Sequence, residues 1–211
     1  MDSATMQRLL KGRNAEQQEV IKYFLSDGGC LSKTITDAEY DEIVISKITS
    51  LNLKQRALDK LGIDEDQVKE VEPVHFENWL FGGKAYAKLG KDNLWRSSAY
   101  QVTWIFFSAE QIYIYQYTIN MDEDGKKEQT EEYFYKDITN CSSTSESVEK
   151  NDVLIKTNCN GEREYGRRII ETDIFKITVP GDKLLCSIKK TDYTESAIQG
   201  MKAKLREKKN A

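Results

Sequence analysis

The 211-residue chain is 31 % charged and 39 % apolar, the balance of a folded globular protein with enough length for a sizeable core rather than of a disordered one. Its formal charge of −4 argues against a general nucleic-acid binder, which needs a large basic surplus. The acidity is local: residues 1–75 hold 10 Lys and Arg against 14 Asp and Glu, whereas residues 76–211 hold 21 of each.

The first third reads as helical. Met6, Leu9 and Leu10, then Val20, Ile21, Phe24 and Leu25, recur at helical spacing on either side of a polar stretch around residues 13–18. Asp27-Gly-Gly29 is expected to end this element, because glycine accepts the left-handed conformation that closes helices. Thr36-Asp-Ala-Glu39 has the spacing of a capping box, and Tyr40, Ile43, Val44, Ile48 and Leu51 supply the apolar side of the helix it opens. A further helix over residues 54–61 stops at Gly62, and Asp64-Glu-Asp-Gln67 begins a short turn before Pro73. Two helices joined across Gly62 suggest a helix-turn-helix. The second opens on Asp64-Glu-Asp66, however, the wrong charge to face phosphate.

From about residue 76 the period changes to two, which divides the chain into a helical segment, 1–75, and a strand-rich unit, 76–211. Phe81-Gly-Gly83 and Leu89-Gly90 punctuate a first ribbon, residues 93–107 supply one long strand, and residues 111–119 the next. The polar turn 121–126 contains an Asp-Gly pair suited to a hairpin, and residues 130–137 return antiparallel, with a further piece near 138–142. Residues 142–150 read as a polar connection. Residues 153–157, 168–170, 174–179 and 184–189 read as later strands, with a turn at Pro180-Gly-Asp182. Asp192 is the expected N-cap of a last helix whose apolar stripe is Ala197, Ile198, Met201 and Leu205.

About seven strands followed by one amphipathic helix resembles the pleckstrin-homology (PH) order, and in particular the bacterial PH-like domain proteins. The residues that carry the resemblance are the apolar strand 102–107, the turn Ser108-Ala-Glu110, the strand 112–119, an acidic-aromatic strand ending in Asp137-Ile138, and the terminal helix. The match covers roughly residues 76–209. It implies an antiparallel β-barrel of two nearly orthogonal sheets capped by the C-terminal helix, with the helical first third as an addition. The expected fold class is therefore α+β.

Two groups of side chains are candidates for function. Tyr113, Tyr115 and Tyr117 alternate along one expected strand and Tyr133 and Tyr135 along the next, which would set five rings on one face of a hairpin. Both faces of residues 102–119 are apolar or aromatic, so the second face needs cover from the chain's own helices, a second copy or a protein partner. Tyrosine suits such an interface by combining large area with a polar tip. Base stacking on this face lacks a matching basic field.

Lys84, Lys88, Lys91 and Arg96, beside Trp95, form the second group, a possible anionic-ligand site interrupted by Asp92. In PH domains a loop between the first strands holds phosphoinositide phosphates, so the resemblance implies membrane binding as an alternative. Lys202, Lys204, Arg206, Lys208 and Lys209 at the C-terminal helix end suit the helix macrodipole, and also an anionic membrane surface.

Cys30, Cys141, Cys159 and Cys186 form no C-x-x-C pair, and His75 is the single histidine, so neither a metal site nor a cofactor is expected. There is no phosphate-binding glycine loop and no nucleophile elbow. No basic-then-apolar leader opens the sequence, and no apolar run approaches the roughly 20 residues of a bilayer span, which points to a cytoplasmic protein with reduced thiols. The expected function is a non-enzymatic interaction module that binds protein partners or self-associates through the aromatic face. Anionic-membrane binding is the alternative, and a hydrolase with dispersed carboxylates a further one.

Overall fold

The computed structural model describes residues 3–26, 34–68, 71–157 and 162–209. The expected helix stop at Asp27-Gly-Gly29 and the thiols of Cys30 and Cys159 lie outside the described residues. Helices α1 (Ser3–Leu10), α2 (Ala15–Leu25), α3 (Asp37–Ser50) and α4 (Leu53–Leu61) come first, followed by a 3₁₀ turn at Glu65–Val68. Six strands follow: β1 (Val71–Trp79), β2 (Ala87–Leu89), β3 (Trp95–Ser97), β4 (Ala99–Phe107), β5 (Gln111–Asn120) and β6 (Lys126–Phe134). After a second 3₁₀ turn, Tyr135–Asp137, come β7 (Asn140–Thr157), β8 (Arg163–Val179), β9 (Asp182–Ile188) and α5 (Asp192–Lys209). The chain is α+β, and its first strand starts upstream of residue 76.

Local chemistry sets the helix ends. Capping boxes open α2 and α3: Asn14 accepts from the Gln17 N–H and Thr36 from the Glu39 N–H, while the Gln17 and Glu39 side chains reach back. Gly62, at φ +65°, closes α4 in the left-handed region that other residues rarely adopt. At α5 the cap falls one residue before the expected Asp192. Thr191 Oγ1 accepts from the Thr194 N–H at 3.2 Å, and Thr194 Oγ1 accepts from the Thr191 N–H at 2.9 Å.

The strands form three antiparallel sheets, β1-β4-β5-β6, β2-β3 and β7-β8-β9, and none of them closes into a barrel. Where β1 meets β9, side chains replace a backbone ladder: Asn78 Nδ2 donates to the Ile188 carbonyl at 2.6 Å and Ser187 Oγ to the Trp79 carbonyl at 2.9 Å. Two buried amides also join the large sheets, the Ser187 N–H donating to Gln101 Oε1 and Gln116 Nε2 to the Leu185 carbonyl.

The four-stranded sheet is covered on both faces. Val102, Phe106, Tyr115 and Tyr117 pack with Val20, Phe24, Tyr40, Val44, Ala57 and Leu58 of the helices. On the other face Ile105, Phe107, Ile112 and Ile114 pack with Phe175 and Ile177 of β8, Leu184 and Cys186 of β9, and Ile198, Met201 and Leu205 of α5. Burial in this second core pushes the Cys186 thiol up to about 12.

Three expectations are corrected. Residues 93–107 are not one strand: the chain turns at Ser98, whose N–H donates to the Tyr86 carbonyl, so β3 pairs with β2 while β4 joins the main sheet. Residues 142–150 are not a connection but part of an 18-residue strand paired along its length with β8. Residues 143–147 are all exposed, so no apolar alternation marks them. Finally, the five tyrosines do not share a face. Tyr133 lies opposite Ile112 in the β5–β6 register and joins the inter-sheet core, as does Tyr135 in its 3₁₀ turn, whereas Tyr113, Tyr115 and Tyr117 face the helices.

A charged link ties the helical layer to the sheet. Arg56 of α4 binds Glu128 of β6 through both carboxylate oxygens, Nε to Oε1 at 2.7 Å and Nη2 to Oε2 at 2.9 Å, and the Tyr115 hydroxyl donates to the same Oε1 at 2.7 Å. The guanidinium also lies 5.3 Å from the Tyr117 ring centroid. The Arg56 guanidinium first, and the Tyr115 hydroxyl after it, hold the Glu128 carboxyl down at about 2. Because the folded value lies below the ordinary 4.5, this link contributes stability above pH 4.5 and loses it as pH falls through about 2. Glu128→Gln is therefore expected to cost about 1–2 kcal/mol at neutral pH, the modest end because Arg56 is partly solvated. In urea titrations the gap between variant and wild type is expected to shrink as pH falls from 4.5 towards 2.

Candidate functional site: a trough along the first strand

The helical layer is narrower than the sheet it covers. It buries Val102 and Phe106 of β4 and Tyr115 and Tyr117 of β5, but leaves Tyr100 and Trp104 of β4 and His75, Glu77 and Trp79 of β1 half-buried at its margin. Two clefts follow this margin. One, of about 350 Å³, lies between α3, the β2–β3 hairpin, β1 and the start of α5, with Asp41, Glu77, Trp79, Tyr100 and Lys189 among its lining. The other, of about 470 Å³, lies towards the start of β1 and is bounded by Lys54, Glu65, Val68, Glu72 and Trp104. His75 lines both.

His75 divides the two clefts. Its ring stacks on Trp104 with centroids 4.8 Å apart, and the Tyr193 hydroxyl lies 3.3 Å from both its Nδ1 and its backbone nitrogen. The outer edge of β1 is thereby occupied in part. Pro73 has no N–H, the His75 N–H donates to Tyr193, and the Trp79 carbonyl accepts from Ser187.

The rim is unusually apolar. Of the large hydrophobic side chains that the fold leaves exposed, Ile45 (65 %), Leu94 (58 %) and Tyr193 (49 %) all line the smaller cleft. Ile45 sits off the apolar stripe of α3, and that phase error is the one signal of the site in the sequence. Glu77 and Tyr100 carry no such mark, because the β1–β4 register brings them together.

The basic stretch is not a free cationic surface. Arg96 is buried and clamped: Nε and Nη2 donate to Asp41 at 2.7 Å each, and Nη1 and Nη2 donate to Asp92 at 2.9 and 2.8 Å. The Arg96 guanidinium holds the Asp92 carboxyl well below the usual carboxylate range. A Cβ at Gly90 would overlap Arg96 and Asp92, so a side chain there would disturb the clamp. Lys88 donates to the Tyr23 carbonyl at 2.9 Å and lies over the Tyr23 ring. Of the four, Lys84 and Lys91 alone are exposed, while Lys88 lies opposite Arg96 in the β2–β3 register.

The tyrosines do not form an accessible surface either. Tyr115, Tyr117, Tyr133 and Tyr135 are buried within the chain and Tyr113 is half-buried against the helical layer. Among the described residues no group of acidic, histidine and cysteine side chains has a metal-binding arrangement, and no described helix is long and apolar enough to cross a membrane.

Since Arg96 neutralises two carboxylates while filling a buried slot, Arg96→Ala is expected to lower the thermal midpoint clearly. Lys84→Ala, on open surface, should stay within about 0.5 kcal/mol of wild type. Comparison with known proteins finds no matching family model and no significant match among curated proteins or solved structures.

Proposed function

We propose that the chain is a PH-like interaction module that binds a segment of a protein partner in the trough beside β1. The observation that carries this reading is the clustering of Ile45, Leu94 and Tyr193 on the rim of a cleft whose floor holds aromatic and hydrogen-bonding groups. The PH-like part rests on strand order. A four-stranded meander, β1-β4-β5-β6, precedes a three-stranded one, β7-β8-β9, and the terminal helix packs into the core between them. The β2–β3 hairpin and the helical layer are additions to that plan, and both additions build the trough.

Binding rather than catalysis fits the chemistry of the lining. Arg96 is engaged by Asp41 and Asp92, and burial first, then Glu77, pushes the Tyr100 phenol up so that it stays protonated. These groups are set to hold a ligand rather than to exchange protons with it. Self-association through the tyrosine face is no longer favoured, since the helices occupy that face.

The test is selection of a displayed random-peptide library on the folded full chain. Peptides that bind wild type are expected to lose at least tenfold in affinity on Ile45→Asp and to be unaffected by Ile169→Asp, which alters an exposed apolar residue on β8. Selected peptides indifferent to Ile45→Asp would overturn the proposal.

A further inference from the structure

Charge in the trough is uneven once internal pairs are removed. Lys54 pairs with Glu65 at 2.7 Å, and Arg96 is shared by Asp41 and Asp92. On β1 itself the only charged residues are Glu72 and Glu77, and among the described residues no cation pairs with either. Glu77 lines the smaller cleft together with Tyr100, whose phenol is pushed up by burial first and then by Glu77. Aromatic rings line the same cleft: Trp79, packed edge-to-face with Tyr100 at 4.9 Å, then His75, and Tyr193 tilted against His75 at 5.5 Å.

A carboxylate that shares a cleft with Trp79, His75 and Tyr193 suits cation recognition. Ring faces attract a cation through their quadrupole, and the carboxylate supplies directed acceptors. The native cations are badly placed to serve. Arg96 is locked in its clamp, and Lys189 is an exposed residue of the lining that pairs with no carboxylate among the described residues.

We infer that the smaller cleft takes a basic side chain of the partner segment, arginine before lysine, with its cation at Glu77 and a neighbouring apolar side chain on Ile45 and Leu94. A planar guanidinium suits both parts of this site, since it stacks on aromatic rings and meets a carboxylate through two parallel hydrogen bonds. The inference rests on the trough being the docking site and adds the chemistry of what docks. Lys189 opposes the incoming cation, so its removal should favour binding.

The experiment uses the full chain and small probes, N-acetyl-arginine amide against N-acetyl-glutamine amide at matched ionic strength, followed by the Trp79 indole N–H in NMR spectra. The arginine probe is expected to shift this signal saturably and the glutamine probe to leave it in place. Glu77→Gln, which keeps the side-chain shape, should weaken the arginine probe roughly tenfold, about the worth of one charge-assisted hydrogen bond. Glu72→Gln should leave binding to the smaller cleft unchanged, and Lys189→Ala should strengthen it.

Equal shifts from the two probes, equal affinity in Glu77→Gln, or no saturable shift with arginine would each overturn the inference. A Glu77→Gln variant that fails to fold would show as a collapsed spectrum, and Lys189→Ala then decides the matter, with unchanged or weaker binding counting against it. The peptide selection with Ile45→Asp reads the docking site independently, so failure of the cation chemistry is distinguishable from failure of the site.

Discussion

A strand pair with no polar face governs the architecture. Along β4 and β5 Val102, Phe106, Tyr115 and Tyr117 cover one side, and Ile105, Phe107, Ile112 and Ile114 the other, where Gln101, Thr103, Gln116 and Thr118 add a polar end. Leaving either face in water would expose several large apolar side chains at once, so the sheet can only exist as a middle layer. The helices answer one face and the β7–β9 sheet with α5 answers the other. Each outer layer needs the sheet as much as the sheet needs it, since α2 and α4 are short for independent helices.

Polar contacts then fix where the layers sit. Arg56 and Glu128 hold α4 over β6, Arg96 holds α3 to the β2–β3 hairpin, and Gln17 Nε2 reaches Asp124 in the β5–β6 turn at 2.7 Å. The long β7–β8 hairpin adds a brace at the far side: Tyr165 donates to the Leu25 carbonyl at 2.8 Å and Arg163 to Ser26 Oγ at 3.0 Å. Anchored at these points, the helical layer stops short of β1. The trough is the geometric remainder of a four-stranded sheet under a narrower roof.

Much of this was legible in the residues. Thr36 and Glu39 announced the start of α3, Gly62 the end of α4, and Asp124-Gly125 the hairpin between β5 and β6, because caps and turns are written in local sequence. What was lost is non-local. Tyr135 follows Tyr133 at strand spacing, yet a 3₁₀ turn begins at Tyr135 and breaks the alternation. The stretch 142–150 looks like a linker because an exposed strand held by its neighbour needs no apolar signature. Arg96 reads as a surface cation in the sequence, and Asp41, 55 positions earlier, turns it into a buried strut. The trough was legible only in the misplaced Ile45, for the same reason: Ile45, Glu77, Leu94, Tyr100 and Tyr193 come from five separate parts of the chain.

The order of the layers along the chain also has a consequence for synthesis. Residues 3–61, which make the helices, emerge before residues 99–120, which make the face those helices bury. At roughly 5–20 residues per second the nascent helices wait on the order of seconds with Val20, Phe24, Tyr40 and Val44 uncovered. They are too short to persist alone over that interval. The segment therefore leaves the ribosome as a fluctuating, partly apolar chain that chaperones can recognise, and its helices become permanent only when the β4–β5 hairpin arrives to receive them.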